Sequence, residues 1–518
     1  STLQPTGDDE EQNEAFEQED LLEFLFFHSL LPSYAFPTSL CGFLVEKSVK
    51  NSGGAWEIRV EQLPQQSTNQ ALSEYAPGRL VVINKQTYRS GGVFANGSSE
   101  INRAEKLFSE AKKLVMCDCC SYVQDPHMSA RLASDCPVCG SPLRDEMIIQ
   151  PEMFGPENAR ALPEDDREQE YTYATMAQFP QPLGGESFDF KELTPRLKYS
   201  YASDNRLLTL NKGMNRKGNS PGFSVCSKCG CAEVYDDRNP KSGKHKRPYL
   251  MKNKEGGEFC DGEFRRVFLW FDFSTDVLLL RFSVSQPLIT DLSSVATVRT
   301  LESAAYSLAE ALRLAASRHR QLDLDPTEFG AGHRLLPSSP TGIISLDVYL
   351  YDTLSGGAGY SQLAAKYFDE IILDALNVLE DCNCDTSCTD CLDHFHNQHL
   401  KPLLDRKLAA ALLRYAIYAT IPSAGTLEEQ AQQLTALASS LELDDCSCES
   451  FDALATNDVP LRVSRTGKDI SIFVYSPLLP NPIEQHEKLK GNDVYFVSQA
   501  AIRNDLPGVH SKIRKILA

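Results

Sequence analysis

Cys382, Cys384, Cys388 and Cys391 fall within ten residues of one another, and no other stretch limits so tightly what this chain can fold into. A C-x-C-x3-C-x2-C segment is too compact for two zinc knuckles, yet it can wrap one Zn2+ with four thiolates. An iron–sulfur cluster also takes four thiolates and is the rival reading. Upstream, Ser355-Gly356-Gly357-Ala358-Gly359-Tyr360 forms a glycine-rich turn. It feeds a helical run in which Leu363, Tyr367, Ile371 and Leu379 recur near one face. A second helix is expected from about Pro402, a residue suited to a first turn because its missing N–H would be unpaired there. Two helices joined by a thiolate knot make a metal-clamped corner. Asp381, Asp385, Asp390 and Asp393 surround the sulfurs. With four sulfur ligands supplied, the site reads as structural and closed, without an open position for catalysis.

The remaining cysteines extend the argument. Of sixteen, fifteen sit in groups and only Cys41 stands apart; with no secretory signal visible, this favours metal over disulfides. Cys117-x2-Cys120 and Cys136-x2-Cys139, fifteen residues apart, have the spacing of a zinc ribbon, with Cys119 as a spare thiol. Cys226-x2-Cys229 is a zinc knuckle in form whose other ligands must come from afar. His245 and Cys260 are the preferred pair, and Cys231 competes for either place. Cys446 and Cys448 cannot close a site as a pair and are read as inert. Two or three structural Zn2+ ions are expected.

The chain reads as a multi-domain α+β protein. Residues 1–20 are acidic and poor in large apolar side chains, the composition of a disordered lead. Residues 21–115 form a β-rich N-terminal module, opening with the apolar run Leu21–Phe36, which suits a core helix or, alternatively, a docking surface. The ribbon occupies 116–150, and 151–222, rich in Pro, Gly and acid, reads as linker and loops. The helical four-cysteine corner closes a domain over 223–425, and 426–518 form a C-terminal α/β piece.

A net charge of −20 argues against a protein that coats nucleic acid unaided. One basic patch, Arg238, Lys241, Lys244, Lys246 and Arg247, is a candidate nucleic-acid contact, although such runs are commonly solvated faces. No G-x-x-x-x-G-K-[ST] motif is present; Ser242-Gly243-Lys244-His245 and Thr466-Gly467-Lys468-Asp469 lack the upstream glycine and the following hydroxyl. The Gly356–Gly359 turn fails the dinucleotide spacing as well. His486-x-Lys488-x4-Asp493 matches one copy of a phospholipase D-like nuclease pattern, which needs two, so an enzymatic role is the minor alternative. A pure scaffold is the other.

The glycine turn, the helix, the four-cysteine cluster, Asn397 and Asp405-Arg406 together resemble the C-terminal zinc-binding domain of certain superfamily-two helicases, such as the mitomycin-repair family. LPSYAFP at Leu31–Pro37, ALSEYAPG at Ala71–Gly78 and TDVLLLRF at Thr275–Phe282 resemble the same group, including its motor-less DrmB members from the DISARM anti-phage system. No run approaches eighteen apolar residues and no signal peptide is visible, so a cytoplasmic location without a membrane role is expected. With the motor motifs missing, the resemblance implies a non-enzymatic accessory subunit that pairs with a DrmA-like superfamily-two helicase and helps it hold DNA. The basic loop around His245 and the basic C-terminus (Lys512, Arg514, Lys515) would line a path for a single strand.

Overall fold

In the computed structural model, the described residues are 39–54, 56–96, 101–128, 131–163, 172–181, 188–213, 219–251, 257–340, 342–451, 458–485 and 493–518. The expected acidic lead, the apolar run Leu21–Phe36, His486 and Lys488 lie outside them.

One strand organises the molecule. Phe264–Val284 runs unbroken for 21 residues, because FRRVFLWFDF and DVLLLRFSV are both dense in β-branched, aromatic and aliphatic side chains. Around it lies a nine-stranded sheet. In chain order its strands are β1 (Lys112–Cys117), β2 (Leu143–Ile149), β3 (Lys191–Thr194), β4 (Leu197–Asn211), β5 (Phe223–Cys226), β6 (Ala232–Val234), β7 (Phe264–Val284), β8 (Phe329–Leu335) and β9 (Ile344–Asp352). On one side β4 pairs antiparallel along its whole length with residues 269–282 of β7. β5 continues that edge over residues 264–267, and on the other side β2 pairs with residues 268–269 and β9 with residues 277–284.

Alternation along β7 divides the interior into two cores. Leu278, Leu280, Phe282 and Val284 pack with helices α1 (Val295–Arg318), α2 (Tyr360–Lys366), α3 (Phe368–Glu380) and α4 (Arg406–Tyr418). Val267, Leu269, Phe271, Val277 and Leu279 face the opposite core, shared with Phe43 and Tyr75 of the N-terminal module and with Phe154, whose strand Met153–Pro156 joins that module's sheet from the stretch expected to be linker. That module is a five-stranded sheet with a separate hairpin, Val45–Lys50 against Trp56–Gln62. The C-terminal piece has its own core under a four-stranded sheet, packed by Leu434, Leu437, Ile513 and Leu517. Among the described residues no helix is long and apolar enough to cross a membrane.

Helix, strand and cysteine clusters thus combine in a multi-domain α+β architecture, with three local corrections. Residues 151–222 are not simply linker and loops, since β4 supplies fifteen of them to the central sheet. Its sequence, LKYSYASDNRLLTLN, looks irregular because the register breaks between Ala202 and Asn205, where Asp204 takes φ +55°. Ile101–Lys113, whose sequence suits one longer helix, is helical only over Glu105–Ser109 before β1 begins. The helix after the four-cysteine cluster starts at Arg406 rather than at Pro402, which sits inside a 3-10 turn. Asp405 is its N-cap and accepts from the Lys407 and Leu408 N–H groups, both at 3.1 Å.

Candidate metal centres

The ribbon grows from the central sheet. β1 ends at Cys117, and β2 begins just after Cys139. A tight turn between Cys136 and Gly140, closed by Gly140 N–H donating to the Cys136 carbonyl at 2.9 Å, sets Cys136 and Cys139 side by side. Gly140 there has φ +72°, which a side chain would resist. Sulfur–sulfur distances are 3.5 Å for Cys117–Cys139 and 3.5 Å for Cys120–Cys136. Tetrahedral thiolates at about 2.3 Å from Zn2+ would sit about 3.8 Å apart, whereas a disulfide needs about 2.05 Å. The spacing fits a shared cation. All four thiols are buried, and Cys119 lies beside them without joining the set.

The second centre draws ligands from three places. β5 ends at Cys226, Cys229 follows on its turn, and a two-residue ladder pairs His245 with Cys260. Cys226 and Cys260 are 3.8 Å apart, and Cys229 Sγ lies 3.2 Å from His245 Nε2. His245 Nδ1 is 2.9 Å from the Gly243 carbonyl, which can only accept. Nδ1 must therefore carry the proton, leaving the Nε2 lone pair free for a cation. Cys231 stays out of this set: its carbonyl accepts the Cys226 N–H at 2.9 Å, and burial pushes its thiol up to about 12.

The third centre is the four-cysteine corner. Cys382 and Cys388 lie 3.5 Å apart, Cys384 and Cys391 3.6 Å, and Cys388 and Cys391 3.8 Å. The residues that carry the resemblance explain how the loop is held. Arg406 Nε donates to the Cys384 carbonyl at 2.8 Å and Nη1 to the Leu379 carbonyl at 2.9 Å, tying α4 to the knot and to the end of α3. Asn397 accepts the His394 N–H and donates to the Leu392 carbonyl, each at 2.9 Å. His394 Nε2 reaches Glu310 of α1 at 3.1 Å, and Arg313 holds the same carboxylate at 2.8 Å. Of the surrounding aspartates, Asp393 pairs with Lys401 and Asp385 with Lys407.

Each centre contains a thiol made more acidic by its neighbours. Cys136 is lowered chiefly by the Cys120 thiol, Cys226 by that of Cys229, and Cys382 by the Cys384 N–H. These are donor sets suited to a soft, small cation, and all four ligand positions in each are protein atoms.

The glycine turn holds no phosphate cradle. Asp352, fully buried at the end of β9, accepts from Ala358 N–H at 2.7 Å, Tyr360 N–H at 3.0 Å, and Ser361 N–H at 2.8 Å. Its carboxylate fills the place an anion would take, and no local sequence signal announced it. A side chain on Gly357 would strike Asp276, with φ +78° adding strain.

The basic patch also changes character. Arg247 is buried and its Nη1 donates to the Ile101 carbonyl at 2.6 Å, so it braces the knuckle rather than facing a ligand. Lys241 pairs with Glu233 at 2.7 Å. Arg238 and Lys244 are exposed, and Lys246 is half-buried. Cys446 and Cys448 join the C-terminal core, where burial raises Cys448 to about 12.

The fold and its centres define an α+β protein with three sites able to hold zinc. A family model described as the MrfA Zn-binding domain matches residues 308–392, the span from α1 through the four-cysteine knot. The chain is 52% identical over 519 residues to the Druantia protein DruE of Escherichia coli (strain UMEA 4076-1). The match covers 99% of this chain and 28% of that protein. Among solved structures, the DUF1998 helicase MrfA bound to DNA aligns at 11% identity over 72% of this chain and 33% of its own, with a TM-score of 0.32.

Proposed function

We propose that these 518 residues are a non-motor part of an anti-phage defence machine, binding a superfamily-two helicase motor and helping it engage DNA. The observation that carries this reading is the 52% identity to DruE across nearly the whole chain, joined to the MrfA-type zinc-binding match. The sequence supplies no nucleotide-binding loop, and its one glycine-rich turn is occupied by Asp352. On this reading the motor is supplied by the partner helicase.

The zinc centres act mechanically. Cys117, Cys120, Cys136 and Cys139 would fix the ribbon to the central sheet; Cys226, Cys229, His245 and Cys260 would hold the knuckle; Cys382, Cys384, Cys388 and Cys391 would lock α3 to α4. Zinc bound there supplies cross-links and no chemistry, because all four positions are taken by protein ligands. Of the patch around His245, Arg238, Lys244 and Lys246 are left to meet a nucleic acid; on the C-terminal helix Lys512 and Lys515 are exposed, while Arg514 pairs with Asp444 at 2.8 Å. A DISARM-like assembly with a DrmA-type heterodimer partner is one specific form of the proposal; a Druantia assembly is another, favoured by the DruE match. The test is ATP turnover by the cognate motor, with and without this chain, on single-stranded, duplex and tailed DNA. A DNA-dependent rise supports the reading. Unchanged turnover despite stable association would leave a scaffold.

A further inference from the structure

The three centres differ in how they meet solvent. At the ribbon and the knuckle all four ligands are buried, whereas at the corner only Cys391 is, and the other three are partly exposed. Those three, Cys382, Cys384 and Cys388, line a cavity of about 700 Å3 between the C-terminal end of α1 and the end of α3. Its charged lining is mainly acidic, from Asp374, Asp381 and Asp390, against the single cation of Arg318. Such a wall repels anionic reagents and admits small neutral ones. The closest pair of cavity-lining sulfurs is Cys382 and Cys388, at 3.5 Å.

We propose that the corner is a peroxide-accessible metal clamp, in which oxidation of Cys382 and Cys388 to a disulfide releases the cation and loosens α3 from α4. The balance is simple. One thiolate attacks hydrogen peroxide, giving a sulfenic acid and hydroxide; the second thiolate displaces hydroxide from the sulfenic sulfur, forming the S–S bond. Two protons from buffer acid convert both hydroxides to water, so two thiolates, one peroxide and two protons give one disulfide and two waters, and peroxide is the species reduced. Closing a disulfide requires the two sulfurs to approach from 3.5 Å to about 2.05 Å. The segment between them contains only turns and loops, so no helix or strand has to break for that movement.

The movement has a defined path. Arg406 bonds to the Cys384 and Leu379 carbonyls, so a shift of the loop between Cys382 and Cys388 pulls on the start of α4. The ribbon supplies the internal control. Cys119 is the partly buried spare thiol there and lines the larger cavity beside α1. If exposure of any thiol near a centre were sufficient, the ribbon would fail as readily as the corner.

The experiment treats the zinc-loaded full chain with stoichiometric hydrogen peroxide and follows metal release, peptide mass mapping and backbone hydrogen exchange together. Expected is loss of one zinc of three, a Cys382–Cys388 disulfide, and faster exchange over 379–406, with the ribbon and knuckle protected. A neutral chelator, 1,10-phenanthroline, should remove the same ion at least ten-fold faster than the other two. Cys388→Ser alone could fail to fold, so Cys119→Ser is the second variant, expected to leave both rates unchanged. Equal release from all three centres, first release from the ribbon, or a disulfide involving Cys119 would overturn the proposal. None of these readouts depends on a helicase partner, so they stand apart from the test of function.

Discussion

The ribbon and the four-cysteine corner hold the same number of thiols at nearly the same spacing, yet they are embedded differently. At the ribbon, β1 and β2 pair over six positions and β2 continues onto β7, so a backbone ladder already fixes both ends of the ligand loop. At the corner, the chain from Asp381 to Asp405 contains only turns and a 3-10 segment, anchored by side chains from elsewhere. A metal ion at the ribbon adds to order that exists without it. At the corner the metal substitutes for order that the backbone does not provide.

The largest test of that difference is paired ligand removal. Cys388→Ser should abolish one zinc, lower Tm sharply and expose amides from 379 to 406 to exchange. Cys136→Ser should also lose one zinc, but with β1 and β2 still protected. Structural zinc is worth about 10–16 kcal/mol in isolated zinc-finger peptides, and the corner should realise the larger share. Equal losses of Tm and of protection at both centres would break the comparison.

Next in size is Arg406→Ala, which removes charged hydrogen bonds to two carbonyls of the corner. The expected cost is about 2–4 kcal/mol, read by denaturant unfolding, with zinc at the corner released faster and zinc at the ribbon unaffected. Retained release kinetics would mean that α4 is not what holds the loop.

A pH series separates metal loss from the core beneath it. His333 on β8 is buried without a hydrogen-bond partner, and desolvation lowers its pKa to about 4. The unfolded chain binds that proton near pH 6.5 while the folded chain does not. Stability from this group is therefore full above about pH 6.5 and falls as pH drops toward 4, by up to about 3 kcal/mol. His333→Leu should flatten that part of the acid limb in Tm measurements between pH 7 and pH 5, leaving the part due to zinc release. An unchanged limb would place the acid sensitivity wholly in the metal centres.

The smallest effect concerns the knuckle. Lys244→Glu with Lys246→Glu should weaken DNA binding by the assembled complex and reduce its salt slope by roughly one per lost phosphate contact. Arg247→Glu should instead destabilise the fold, because its guanidinium bonds inside the protein. Identical salt slopes for wild type and the double lysine variant would remove the loop from the DNA path.

Local chemistry made much of this legible. C-x2-C pairs on tight turns place their sulfurs together whatever the rest of the chain does, and the structure gathers Cys117, Cys120, Cys136 and Cys139 as their spacing suggests. The long apolar content of β7 likewise shows in one dimension. What stayed hidden depends on contacts distant in sequence. β4 alternates poorly because a bulge interrupts it, so its fifteen residues resemble a loop. Arg247 sits in a charged run, and only the approach of Ile101, 146 residues away, makes it a buried brace. Asp352 is an ordinary acid at a strand end until the glycine turn folds over it. Asn397 and Arg406 could be picked out by resemblance, but their bonds to the knot needed the structure.

Metal content is the most direct measurement of the central claim, that three separate centres clamp this chain. Purified protein should carry three zinc atoms per chain and no iron, and Cys136→Ser, Cys260→Ser and Cys388→Ser should each retain two, by inductively coupled plasma mass spectrometry. Iron in the wild type that disappears with Cys388→Ser, or a variant that keeps all three zinc atoms, would contradict it.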